Sequence, residues 1–244
     1  MICADKVALV TGAAGNGMGR SIALTLAREG AQIVVNYRSS EASARAIVEH
    51  IERHGGQASA IQADVFTTDG CKHLVEAALE RFGQVDICIV GPGAGWHPAT
   101  PDKLDAPGAL SDVYQELAPI YHLLPLVLPG MYQRAWGRFV AIALAPPYGS
   151  PAYAYNVGKA ARAQALLLAR DEAWRHGVTL NLASPGPVPA IQTLAEAIEQ
   201  CDHGPAWHKR TTTSPQDIAE GVAFLCSDSG RFISGCELPY EGQP

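Results

Sequence analysis

The sequence predicts an α/β fold, a doubly wound parallel sheet in one domain spanning residues 1–244. Three observations predict it. Short β-branched runs alternate with amphipathic helical stretches from the first residues onward. The strand runs are almost wholly apolar, as strands covered on both faces by right-handed crossovers are. Apolar residues make up 48% of 244 residues and charged ones only 17%, enough for one large core without a disulfide or metal staple.

The elements follow in order. Lys6–Thr11 (KVALVT) reads as a buried strand. A glycine-rich turn leads into a helix over Gly19–Glu29, with Ile22, Ala23, Leu26 and Ala27 at helical spacing and Gly30 at its C-terminal end. Ala31–Asn36 is the second strand and Glu41–His54 the second helix, stopped by Gly55 and Gly56. Ala58–Ala63, Thr68–Phe82 and Val85–Val90 continue as strand, helix and strand. Leu110–Met131 has helical character, but Pro119 and Pro125 predict a kink or break. Gly137–Leu144 reads as a strand, Tyr155–His176 as a long helix and Val178–Ala183 as a strand. Ser214–Cys226 is a helix with Ser at the cap and Pro at its first position.

Composition excludes several function classes. A net charge of −6 argues against a nucleic acid or an anionic membrane as partner. The apolar stretch Leu123–Met131 is too short to span a bilayer and contains two prolines. The chain enters its first strand at once, which leaves no room for a signal peptide. Six cysteines occur without a CxxC pair, so neither a disulfide framework nor a zinc site is expected, and a reducing cytoplasm is. Cys201, His203 and His208 lie close together in sequence, but no second shell accompanies them, and no metal is expected. His122 reads as a packed or surface helix residue.

The segment Thr11-Gly12-Ala13-Ala14-Gly15-Asn16-Gly17-Met18-Gly19 joins the first strand to the first helix. Glycines there let a backbone approach a pyrophosphate, and a helix N-terminus offers unpaired N–H groups and a favourable dipole. The second strand ends in Asn36-Tyr37-Arg38-Ser39-Ser40, with no acid before Glu41 to bond a ribose 2′-hydroxyl. Arg38 forks well onto a 2′-phosphate, and serines donate to one, so NADP(H) is favoured over NAD. Tyr155 and Lys159 stand four apart at the start of a helix and share one face. An ammonium beside a phenol stabilises the phenolate, and such a tyrosine can give a proton to a carbonyl oxygen as hydride reaches the carbon.

With these motifs the chain resembles the classical short-chain dehydrogenase/reductase family, in its 3-oxoacyl-acyl-carrier-protein-reductase-like branch, from about residue 5 onward. The resemblance implies a Rossmann-type sheet. Ala63-Asp64-Val65 is similar to the family's adenine-binding segment, so Asp64 and the Val65 N–H are expected at the adenine. Ser184-Pro185-Gly186-Pro187-Val188 resembles the Pro-Gly segment beside the nicotinamide. The cofactor set expected on this basis is Gly12, Asn16, Gly17, Met18, Arg38, Ser39, Asp64, Val65, Gly91, Tyr155, Lys159, Pro185, Gly186 and Val188. Ile233-Ser234-Gly235 resembles the family's tetramer-forming end, which implies a homotetramer or dimer. Residues of about 187–213 correspond to a substrate lid, where Trp207 is placed to cover an apolar substrate; Trp96 and His97 read as site-lining.

Four departures stand against the usual chemistry. The family's strand-five serine falls on Leu144 counted from Gly137-Arg138, or on Ile142 counted back from Tyr155. Its Asn-Asn-Ala-Gly appears as Val90-Gly91-Pro92-Gly93, its helix-four asparagine aligns with Glu116, and the phosphate turn is one residue longer. Loss of a donor to the substrate oxygen typically lowers rates by about 10²–10³. Ser150, Tyr148 or Tyr153 is the expected substitute donor. Glu116 reads as a proton relay to Lys159, as a group that over-stabilises the ammonium, or as a solvated helix residue. The leading expectation is an NADPH-dependent carbonyl reductase acting on a small molecule, with Tyr155 as proton donor. The alternatives are a cofactor-binding, redox-impaired structural or regulatory subunit, or a fold turned to non-carbonyl chemistry.

Overall fold

Apolar alternation along each strand generates two cores, one on each side of a sheet. In the first strand Ala8 and Val10 enter one core and Leu9 the other, as the period of two requires. The computed structural model describes residues 1–144, 152–204 and 212–240. In chain order its elements are β1 (Val7–Val10), α1 (Met18–Arg28), β2 (Gln32–Tyr37), α2 (Glu41–Arg53), β3 (Ala58–Gln62), α3 (Thr68–Phe82), β4 (Ile87–Val90), α4 (Ala106–Gln133), β5 (Gly137–Ile142), α5 (Tyr153–Arg175), β6 (Val178–Pro185), α6 (Leu194–His203), α7 (Pro215–Cys226) and β7 (Glu237–Tyr240).

The strands form one sheet in the order β3-β2-β1-β4-β5-β6-β7, and every pairing is parallel. The order reverses between β1 and β4, so a crevice opens at the carboxyl ends of these strands. α1, α2, α6 and α7 cover one face, and α3, α4 and α5 the other.

Local signals explain the element ends. Gly30 and Gly83 adopt positive φ where α1 and α3 stop. Ser214 and Asp217 form a reciprocal capping box at the start of α7, with Pro215 in its first turn.

Two expectations are corrected and one helix is added. α4 neither breaks nor stops at the prolines: it runs through Pro119, Pro125 and Pro129 as one 28-residue helix. Each proline removes a backbone donor, but the helix is held by a buried face that includes Ile120, Leu123, Val127 and Met131. β5 ends at Ile142, before Leu144. α6 was not read from the sequence, although Thr193 caps it and Glu196 stands three residues on. Within the segment read as a lid, Ile191 N–H donates to Asn16 O (3.1 Å), and α6 then lies beside α1. There Arg28 Nη1 donates to Cys201 O (2.7 Å) and Cys201 Sγ lies 3.8 Å from Thr25 Oγ1. Trp207 and His208 fall outside the described residues.

Candidate active site

The turn after β1 is built around Asn36. Its Oδ1 accepts from Gly12 N–H (3.1 Å) and its Nδ2 donates to Ala63 O (3.1 Å), while Ala13 N–H donates to Asn36 O. Gly12 has φ +63°, and a Cβ there would meet Pro92. Thr11 Oγ1 donates to Ile89 O and accepts from Gly91 N–H, which joins this turn to the loop after β4.

Two cavities flank the turn. One of about 300 Å³ is lined by Gly12, Gly15, Arg38, Ser39, Ser40, Asp64, Val65 and Gly93. The other, of about 210 Å³, is lined by Gly12, Gly17, Met18, Gly91 and Ile142. The N-terminal turn of α1 has no side-chain cap and no carboxylate, and open space surrounds Gly17. These residues fit a dinucleotide phosphate, because uncapped N–H groups and absent side chains are what a close-lying anion needs. Arg38 rests above the Phe66 ring (5.8 Å) at the edge of the first cavity. Asp64 Oδ1 accepts from Phe66 N–H, which orders that segment. Asn16 accepts from Arg20 Nη2. Gly186 N–H donates to Tyr240 O, which fixes the Pro185-Gly186 turn against β7, and Val188 packs partly buried on the core.

The reactive side chains gather where β4, β5, α4 and α5 meet. Glu116 is fully buried, with Oε1 accepting from Ala94 N–H (2.9 Å). Its Oε2 lies 3.2 Å from Lys159 Nζ and 3.1 Å from Arg162 Nη2. The solvated-helix reading of Glu116 is thereby excluded. Arg162, also fully buried, donates to the carbonyls of Glu116 (2.9 Å), Ile142 (2.9 Å), Gly91 (3.3 Å) and Pro92. Lys159 Nζ donates to Ile142 O at 3.5 Å and stands 5.3 Å from the centre of the Tyr155 ring. Trp96 meets that ring edge-on at 5.4 Å. His97 Nδ1 lies 3.1 Å from both oxygens of Asp112, a mostly buried carboxylate.

Electrostatics in this cluster run in opposing directions. Burial raises the Tyr155 phenol above its ordinary value, Glu116 adds to the rise and Arg162 opposes it. Burial, then Arg162, lowers the Lys159 ammonium to about 8, with Glu116 opposing. The phenol is therefore a protonated group at neutral pH, ready to donate.

Tyr155, Lys159 and Glu116 are brought together. Tyr153 opens α5, exposed, with its N–H on Ala99 O. Ser150 and Tyr148 lie outside the described residues. Leu144 is half-buried just past β5 and offers no hydroxyl. Sequence reasoning missed Arg162; the only available signal was its place three and seven residues beyond Lys159 and Tyr155, on their helix face. It also missed the His97–Asp112 pair. Among the described residues no cluster of His, Cys, Asp and Glu is arranged to hold a metal.

Comparison with known proteins identifies the family and the fold. A family described as short chain dehydrogenase matches residues 6–200. A 3-oxoacyl-acyl-carrier-protein reductase of Staphylococcus epidermidis is 32% identical, with 98% of each chain covered. A short-chain dehydrogenase/reductase of Cladobotryum is 28% identical over 98% of this chain and 95% of its own. Among solved structures, a 7α-hydroxysteroid dehydrogenase complexed with NADH and 7-oxo glycochenodeoxycholic acid superposes with a TM-score of 0.84 at 26% identity. That likeness covers 99% of this chain and 95% of the other.

Proposed function

Since the chain belongs to the short-chain dehydrogenase/reductase family of oxidoreductases, we propose that it is an NADP(H)-dependent reductase of a ketone, aldehyde or oxoacyl carbonyl. The observation that carries this reading is the pairing of Tyr155 and Lys159 on one face of α5, with Lys159 bonded to the carbonyl of Ile142, a residue that lines the cavity beside the glycine-rich turn. A reduced nicotinamide held by the glycine-rich turn and Lys159 would supply the hydride for the carbonyl carbon. Tyr155 donates the proton to the carbonyl oxygen from its hydroxyl. Lys159 carries the positive charge behind the phenol, and Glu116 holds that ammonium. Ser150 is assigned as the substitute donor to the substrate oxygen.

Arg38, with Ser39 and Ser40, supports NADP(H) over NAD, since no acid follows the end of β2 before Glu41. The NADH named with the steroid dehydrogenase belongs to that protein. Exposed Leu110, Tyr114 and Tyr121 on α4 and Val157 and Leu168 on α5 support assembly into a homotetramer or dimer through these helices. No helix among the described residues is long and apolar enough to cross a membrane. All six cysteines are free, which suits the reducing cytoplasm assigned to the protein.

A second reading is a cofactor-binding but redox-impaired family member. It draws on Leu144 at the place of the family's hydroxyl and on the engagement of Lys159 by Glu116. Fluorescence titration with NADPH and NADH, beside a carbonyl panel on wild type and Tyr155→Phe, separates the two. Tight NADPH binding with turnover lost in the variant is expected. Binding without turnover on any substrate would replace the first reading with the second.

A further inference from the structure

Two glycines open a slot for the Glu116 carboxylate. A Cβ on Gly93 would overlap the carboxylate itself, and one on Gly158 would lie 2.8 Å from Glu116 Cγ. The carboxylate therefore reaches beneath the loop after β4, where Ala94 N–H binds it. A buried carboxylate facing one lysine would leave this pocket without net charge. A buried guanidinium without a carboxylate would be an unpaired cation, which is strongly destabilising.

We propose that Arg162 is a positioning residue coupled to Glu116: it fixes the carboxylate in its slot and brings the Glu116–Lys159–Arg162 cluster to net charge +1, the charge Lys159 alone would bring to an uncharged pocket. The geometry supports this in two ways. Arg162 touches Glu116 twice, at Oε2 (3.1 Å) and at the backbone oxygen (2.9 Å). Its remaining donors tie the ends of β4 and β5 together through Gly91, Pro92 and Ile142. Ile142 O also accepts from Lys159, so the same guanidinium orients the carbonyl that helps to hold the lysine. The charged groups facing Tyr155 are Lys159 and Arg162 from α5 and Glu116 from α4; the His97–Asp112 pair is paired within itself beside Trp96. Glu116 and Arg162 pull the phenol in opposite directions, as a compensating pair does.

The inference deepens the reading of Tyr155 as proton donor and rests on it, yet its test needs no turnover. Ultraviolet difference titration of the protein against Tyr155→Phe isolates ionisation of this phenol. In Glu116→Gln ionisation is expected at lower pH, and in Arg162→Met at higher pH, each by about one unit or more, as a charge a few ångströms away produces. In the double variant the titration is expected to return to that of the wild type. Thermal unfolding is expected to fall in each single variant, and the double to lose less than the two losses summed, because coupled partners are non-additive while the carbonyls of Gly91, Pro92 and Ile142 lose their donor in either case. Shifts of the same sign, no shift in either single variant, or a double variant as unstable as the two losses summed would overturn the proposal. Should a single variant fail to fold, a folded double variant with the wild-type titration supports the pairing, and an unfolded one refutes it. A wild-type protein that turns nothing over, in a series that shows these titration shifts, would speak against the reductase reading while supporting the cluster.

Discussion

Asn36 Oδ1 lies 3.1 Å from Gly12 N, and this bond ties the end of β2 to the turn that a dinucleotide phosphate would meet. The same side chain donates to Ala63 O, which begins the segment lining the cavity of about 300 Å³. Asn36 thus braces both halves of that cavity from within the sheet.

Asn36→Leu keeps the branched shape and removes the bonds to Gly12 and Ala63, with the longer ones to Tyr37 O and Ile61 O. It is expected to leave Gly12 N–H and Ala63 O without partners and to lower stability by about 1–3 kcal/mol. Urea unfolding measures the loss, and cofactor titration should show weakened binding in the folded variant. Unchanged stability together with unchanged cofactor affinity would contradict this role.

Arg38 stands over Phe66 at the rim of the same cavity. A charge-assisted fork onto a 2′-phosphate is worth about 1.5–3 kcal/mol, or roughly ten- to more than a hundredfold in affinity. Arg38→Ala is expected to weaken NADPH by that factor and to leave NADH within about twofold. An equal loss for both cofactors in paired titrations would mean that Arg38 supports the fold of the rim rather than reading the phosphate.

At the opposite end of the sheet Asp86 accepts from Val7 N–H (2.9 Å), Gln84 Nε2 (2.7 Å) and Arg134 Nε (3.2 Å). These bonds fasten the start of β1 to the approach to β4 and the end of α4. Arg134 keeps 30% of its side chain in water, so solvent would absorb part of its loss. Asp86→Ala is expected to destabilise by roughly 2–4 kcal/mol while leaving cofactor affinity per folded molecule unchanged. Chemical denaturation beside titration tests the pair; a loss of affinity without loss of stability would count against it.

The strand–helix alternation through β4 was legible because each element carries its own period and its own glycine stops. The four-residue spacing of Tyr155 and Lys159 was legible for the same reason: it is local. Of the kink or break expected at Pro119 and Pro125, the break does not occur: a proline's missing donor is visible in sequence, whereas the packed face that keeps α4 continuous is not. Arg162 escaped notice for a related reason. An arginine on a helix reads as solvent-facing, since an unpaired cation is rarely buried, and its partner Glu116 lies 46 residues away. α6 is short, and its place is decided by contacts with Thr25 and Arg28 on α1 and by Ala197 and Cys201 entering the core.

The pH dependence carries two opposite signs from one group. Lys159 falls from 10.5 to about 8 in the folded protein, chiefly through burial. Tyr155 is raised and so remains a phenol across this range. Carbonyl reduction is therefore expected to be level below about pH 8 and to fall as Lys159 loses its proton above it. Stability responds the other way. Below pH 8 both folded and unfolded chains hold the proton, and this group adds no slope. Between about 8 and 10.5 the unfolded chain binds it and the folded chain does not, so the contribution of Lys159 to the unfolding free energy rises with pH. Lys159→Met removes both effects, so the comparison with wild type isolates them from the other titrating groups. Rate profiles and urea midpoints taken on the two proteins over the same buffers provide the check. If the wild-type rate shows no fall near pH 8, or the stability difference shrinks rather than grows as pH rises through 8, then Lys159 keeps its proton in the folded state and the ion pair with Glu116 outweighs burial.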